Sequence, residues 1–225
     1  MNCASLLTAA LLASFATAAI AAPPNLVFSQ DKRMVMSFPR AGTMAHSLPI
    51  TTRATNIIYG NLTPLYPKGP YVSYTGYTIA GPGYIEGEQF WVGTPFTPTA
   101  AATAKTIKLA VSYNGGTNAF AISINADTGG TGPGAALWTG TAANVEDFAT
   151  CCAIASATIA PGLKLKAGIT YWVVVFTDPT TSNDFYGVWD GSSKDQLDLG
   201  SFATNTGSGW SIIPTNDIPA FEIDK

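Results

Sequence analysis

Residues 171–177 read Tyr171-Trp172-Val173-Val174-Val175-Phe176-Thr177. This run is uncharged and apolar at both alternate positions, so an extended chain made from it has both faces covered. Its length, three β-branched valines and aromatic flanks favour a strand over a helix. A strand buried on both sides sits inside a sheet, so partners must come from the chain around it. On the N-terminal side Ile107, Leu109, Val111 and Tyr113 alternate. Asn114-Gly115-Gly116 supplies a tight turn, and Phe120, Ile122 and Ile124 alternate again, so residues 105–126 read as a hairpin. Asp127 to Gly134 (DTGGTGPG) is a loop, and Ala136 to Thr139 a short strand. On the C-terminal side Phe185 to Trp189, Trp210 to Ile213 and Ala220 to Ile223 complete the set.

Turn signals recur about every 8–12 residues, the spacing of an all-β sandwich or barrel. Apolar residues do not keep a 3.6-residue period, and only Asn144 to Ala149 leaves room for a short helix. No fixed repeat points to a propeller or solenoid. The expected fold is therefore all-β, an antiparallel β-sandwich of jelly-roll-like type.

The ends set the expected organisation. The run from Leu6 to Ile20 is apolar and Ala-rich, Ala19 and Ala21 have the small-residue spacing of a signal-peptidase site, and Pro23-Pro24 follows. Residues 1–21 are read as a cleaved signal peptide, residues 22–55 as an irregular tail or linker able to add an edge strand, and residues 56–225 as the sandwich. With no second apolar run, the mature chain is expected to be secreted, extracellular or periplasmic, without spanning a membrane. Charged residues make up only 11% of the chain. The tail carries Lys32, Arg33, Arg40 and Arg53 against Asp31, whereas the body from Asn56 onward has seven basic and thirteen acidic residues. An acidic body argues against nucleic acid as a partner, since phosphate binding needs a basic surface.

Several short motifs in order resemble a known family. They are Ile58-Tyr59-Gly60-Asn61-Leu62, Gly76-Tyr77-Thr78-Ile79, Pro95-Phe96-Thr97-Pro98, Ala126-Asp127-Thr128-Gly129-Gly130, Ala167-Gly168-Ile169-Thr170-Tyr171-Trp172 and Gly207-Ser208-Gly209-Trp210 before Pro219-Ala220-Phe221. Together, over about residues 56–223, they resemble the secreted bacterial choice-of-anchor domains of R type, β-rich exported modules. The resemblance implies export and a β fold and carries no catalytic residues. The recognisable anchor of that family is not seen here.

Few residues suggest chemistry. Cys151 and Cys152 are adjacent and are the cysteines left once Cys3 departs with the signal. Adjacent Cα atoms stand about 3.8 Å apart across a trans peptide or about 2.9 Å across a cis one, below the usual disulfide range, so a bridge would pinch the backbone into a stiff turn. Such a pair can be a ligand-contacting knuckle, a redox switch, a local staple or two buried thiols. His46 is the single histidine and lies in the tail, away from any nucleophile in the body. Glu86 and Glu88 would share a strand face if extended, the arrangement a glycoside hydrolase could use, and equally a charged sheet edge. Asp127 with Asn125 could hold Ca²⁺ in the Gly-rich loop or cap its turn. No other cofactor is expected. Asn61-Leu62-Thr63 is a glycosylation sequon.

Six of nine tyrosines fall between residues 59 and 84, and Tyr66, Tyr71, Tyr74 and Tyr77 are the candidate ligand surface, with cover for the core as the alternative. The expected function is a non-enzymatic domain that binds an extracellular polysaccharide or a cell-surface component. The alternative is an assembly protein that self-associates by strand addition through its tail. A hydrolase acting through Glu86 and Glu88 is a third reading.

Overall fold

The computed structural model describes residues 27–28, 33–35, 56–62, 69–84, 88–178, 180, 183–192 and 199–225. They form an all-β, antiparallel sandwich. One layer is a continuous six-stranded sheet, in the order β14 (Trp210–Asp217), β13 (Leu199–Asn205), β5 (Trp91–Phe96), β11 (Tyr171–Phe176), β8 (Ala119–Asp127), β9 (Pro133–Ala143). The other layer is made of two sheets. One has the order β1 (Val27–Phe28), β2 (Arg33–Val35), β4 (Tyr71–Ala80), β12 (Tyr186–Ser192), β7 (Val111–Gly115). The second has the order β10 (Ala155–Leu165), β6 (Ala102–Leu109), β15 (Phe221–Asp224), β3 (Ile57–Gly60).

The run YWVVVFT does what its composition demands. β11 pairs with β5 on one side and β8 on the other, Val174 lying between Gly93 and Ser123. Its odd-numbered residues Tyr171, Val173 and Val175 enter the main core with Ile122, Ile124 and Phe120 from β8. The facing layer supplies Trp189, Tyr77 and Ile79 from one sheet and Ile107, Leu109, Phe221 and Ile223 from the other. Burial of these aromatic and branched side chains, each worth about 1.5–3 kcal/mol, is what holds the layers together.

Two expectations are corrected. Residues 105–126 are not a hairpin. The chain runs along β6 in one sheet, breaks at Ala110, continues as β7 in another, and crosses the core to β8 in the opposite layer. Alternation cannot separate these cases, because a hairpin and an arch between facing layers both turn every second side chain inward. Residues 144–149 form no helix: Asn144 and Ala149 have φ of 55° and 66°, and Asn118 clamps the segment through Val145 by its amide (Nδ2 to the carbonyl 2.8 Å, Oδ1 from the N–H 3.0 Å). The described part of the tail is β1 and β2, which add two strands rather than one to the edge of β4. Residues 1–21 and His46 lie outside the described residues.

The split layer is knitted at one buried place. Ala110 N–H donates to Ala220 O (3.1 Å), Ala220 N–H to Asp190 O (2.9 Å), and Asp190 N–H to Ala110 O (2.7 Å), closing a ring of three backbone hydrogen bonds among three chain segments. The Trp189 indole adds a second donor to Ala220 O at 2.9 Å. Asn61 pins the segment beside it: its Nδ2 donates to Pro219 O (3.0 Å) and its Oδ1 accepts from Phe221 N–H (2.7 Å). Asn61 is only 2% exposed, so with both amide atoms in use this residue of the sequon is a structural peg and not an accessible acceptor for glycan.

The Asp190 carboxyl sits in this junction, fully buried, and among the described residues neither of its oxygens has a hydrogen-bond partner. Burial pushes its pKa well above the ordinary carboxylate range; the nearby Ser112 hydroxyl, 3.5 Å from Val188 O, opposes the shift only in part. The unfolded chain gives up this proton near pH 4, the folded chain only at higher pH. In between, the native state binds more protons, so this group makes stability fall as pH rises.

Two outcomes follow for denaturation experiments. Asn61→Ala leaves a buried N–H and a buried carbonyl unpaired and should cost about 2–5 kcal/mol in urea unfolding. Asp190→Asn should gain stability relative to the wild type as pH is raised from 4 towards 8; parallel pH profiles for the two proteins would contradict a raised Asp190 pKa.

Candidate functional site: an aromatic strip on the six-stranded sheet

The even-numbered residues of β11 face away from the main core. Trp172 and Val174, with Ala203 of β13, form a separate buried cluster flanked by the partly buried Phe176, Trp210 and Ile212. Strand register explains the grouping. Asn205 lies between Trp91 on β5 and Trp210 on β14, so the three residues form one row across three adjacent strands. Trp91 meets Phe176 edge-on, with ring centroids 5.4 Å apart, and its indole N–H donates to Thr177 Oγ1 at 3.0 Å. In the middle of the row the Asn205 Oδ1 accepts from Gln89 Nε2 (3.2 Å) and from Gly207 N–H (2.8 Å). That fixes the amide and leaves its Nδ2 without a protein partner among the described residues.

A glycine-rich loop borders this strip. Asp127 Oδ2 accepts from Gly129 N–H (2.9 Å) and Gly130 N–H (3.0 Å), while its Oδ1 accepts from the Trp172 indole at 2.7 Å. The Trp172 hydrogen bond, followed by the loop amides, holds the Asp127 pKa below its usual value. The loop lies against the strip: a Cβ on Gly132 would come 3.1 Å from Trp210 Cβ, and one on Gly93 would come 3.0 Å from Pro133 Cγ. Gly93 is thus the gap that lets Pro133 close over the sheet face beside Trp172. Both Asp127 oxygens accept hydrogen bonds from the loop and the indole, the turn-capping role that the sequence offers beside Ca²⁺. Among the described residues no group of three or more His, Cys, Asp or Glu side chains is placed to hold a metal.

The candidate tyrosine surface is corrected at Tyr71 and Tyr77. Tyr71 and Tyr77 are only 4% and 2% exposed. The Tyr77 hydroxyl donates to Asp217 O and the Tyr71 hydroxyl to Ala153 O (2.9 Å), so both rings cover the core and spend their polar tips on the backbone. Burial, with the nearby Asp190 charge second, raises the Tyr71 pKa strongly. Tyr66 and the Tyr74 side chain lie outside the described residues. Tyr84, at 43% exposure, is an exposed tyrosine of this stretch and stacks on Tyr186 at 4.7 Å. Glu86 lies outside the described residues, and Glu88 is exposed in irregular chain just before Phe90.

Cys151 and Cys152 are joined as a vicinal disulfide, with Cα atoms 3.1 Å apart. Trp91, Phe176 and Asn205 lie in none of the quoted motifs, and Trp210 stands only at the end of Gly207-Ser208-Gly209-Trp210. Their signal is register: pairing β5, β13 and β14 puts Trp91, Asn205 and Trp210 in one row, with Phe176 of β11 beside Trp91. Among the described residues no helix is long and apolar enough to cross a membrane. No protein family, curated protein or solved structure matches this chain.

Proposed function

We propose that this chain is an exported, non-catalytic module that holds extracellular polysaccharide on the outer face of its six-stranded sheet. The carrying observation is the row Trp210–Asn205–Trp91 with Phe176 beside it. Two strand spacings separate the tryptophans, about 9.5 Å along the sheet, close to the length of one disaccharide unit in an extended β-1,4-linked chain. In such a chain consecutive rings alternate in orientation, so the same ring face recurs every second sugar. Two indole platforms one disaccharide apart then meet equivalent faces, and the Asn205 amide between them meets ring hydroxyls. A chain with only 11% charged residues and a net charge of −3 suits a neutral polymer better than a polyanion. Export rests on the signal-like residues 1–21 and on the resemblance to choice-of-anchor domains.

One observation favours a second reading, assembly through the tail. β2 pairs with the edge of β4 through Arg33, Met34 and Val35, a contact that a neighbouring chain could supply by strand addition. Deleting residues 23–50 should then abolish any concentration-dependent assembly, and an unchanged particle size after deletion would end this reading.

The leading reading is tested by retention of the mature protein on a panel of insoluble polysaccharides. β-1,4-linked matrices should retain it, and soluble oligosaccharides should compete. Trp210→Ala and Trp91→Ala should each weaken retention roughly fivefold to tenfold, the loss of about one aromatic contact. Ile169→Ala, at the exposed turn before the opposite end of β11, should bind as the wild type does. Retention that survives both tryptophan changes would overturn the site, and no retention on any matrix would overturn the function.

A further inference from the structure

The vicinal disulfide lies over the three-segment junction rather than on a free loop. Cys152 and Ile154 are half-buried against Leu62, Tyr71, Ala110 and Ala220, an apolar cluster separate from the main core. Two of its members, Ala110 and Ala220, belong to the ring of backbone hydrogen bonds. Cys151, by contrast, is exposed. The backbone of Gly69 closes over both sulfurs from the other side: a Cβ there would overlap Cys152 Sγ and come 2.6 Å from Cys151 Sγ. Two residues on, the Tyr71 hydroxyl donates to Ala153 O at 2.9 Å. The start of β4 is therefore latched to residues 151–153 by one hydrogen bond and by close packing on the sulfurs.

That packing crowds the Cys152 sulfur, while Cys151 faces solvent. Non-bonded sulfurs stand at van der Waals separation, and the space beside Cys152 Sγ is taken by Gly69 and by the junction cluster. Opening the bridge must displace whichever neighbour is held less firmly. Ala110 and Ala220 are tied by the ring of hydrogen bonds, whereas Gly69 holds an isolated β-bridge position ahead of β4, outside the β4–β12 ladder, which begins at Tyr71.

We propose that Cys151–Cys152 is a thiol-exchange site for a dithiol reductant, and that its opening releases Gly69–Tyr71 from the junction while the sandwich stays folded. A thiolate of the reductant attacks the exposed Cys151 Sγ, the sulfur–sulfur bond breaks, and its electron pair leaves on Cys152 Sγ, which takes up a proton. The second thiolate of the reductant then attacks its own sulfur in the mixed disulfide and expels Cys151 Sγ, which takes up the second proton. The protein gains two electrons and two protons, and the reductant leaves as a cyclic disulfide. The latch thus reports the redox state of the surroundings to the β4 edge, where β2 pairs.

The test uses the mature, folded protein with dithiothreitol as the dithiol, followed by iodoacetamide and peptide-resolved hydrogen exchange. Both cysteines should become alkylated without denaturant. Exchange should rise several-fold in peptides covering residues 69–73 and 150–154, with residues 171–176 unchanged. A Cys151→Ser/Cys152→Ser double variant should show the raised exchange at the outset and no response to dithiothreitol. If that variant fails to fold, the wild-type comparison with and without reductant decides alone. Cysteines that resist alkylation until the protein unfolds, or that are alkylated with no change at residues 69–73, would overturn the proposal.

Discussion

The ring of three backbone hydrogen bonds at Ala110, Asp190 and Ala220 is the constraint on which the rest of the architecture depends. Where one layer of a sandwich divides into two sheets, the strands at the division lose regular ladder partners, and unpaired buried N–H and C=O groups are costly. Here each segment gives its N–H to one neighbour and its carbonyl to the other. Two of the three positions are alanine, and all are fully buried, which leaves the backbones room to approach. The Trp189 indole and the Asn61 amide satisfy the neighbouring groups. The Asp190 carboxyl is the group left without a hydrogen-bond partner among the described residues, and its burial there pushes its pKa upward.

Dividing the labour between the two layers explains where function can sit. The split layer spends its polar groups and its disulfide on closing the junction. The continuous layer needs no such repair, because β11 is paired on both edges. Its outer face is free to carry Trp91, Phe176 and Trp210 beside a buried floor of Trp172, Val174 and Ala203. The Asp127 loop then fixes the floor by holding the Trp172 indole, so the strip is built on rigid strands and one anchored turn. A preorganised surface of this kind loses little side-chain freedom on binding.

Composition and local periodicity made the fold class and the central strand β11 readable in advance, because apolar residues at both alternate positions admit few other structures. They could not separate a hairpin from an arch at residues 105–126, since both obey the same inward alternation. Asp190-Gly191 has the composition of a turn, yet it lies inside β12, where long-range bonds to Ala110 and Ala220 override the local preference. Counting tyrosines pointed to a surface at Tyr71 and Tyr77, whereas their hydroxyls reach backbone carbonyls far along the chain and let the rings be buried. The strip at Trp91 and Trp210 was hidden for the converse reason. Residues more than a hundred positions apart share a row only once the strand order is known.

Native-state hydrogen exchange by NMR at the amides of Ala110, Asp190 and Ala220 tests the central claim most directly. If the ring closes the split layer, these three amides exchange only through global unfolding, with the same opening free energy as Val173 and Val175 in β11. Exchange of all three at a clearly lower free energy, through local opening while β11 stays protected, would contradict the account: the two sheets would be joined by the side-chain core alone, and the junction would be a consequence of the fold.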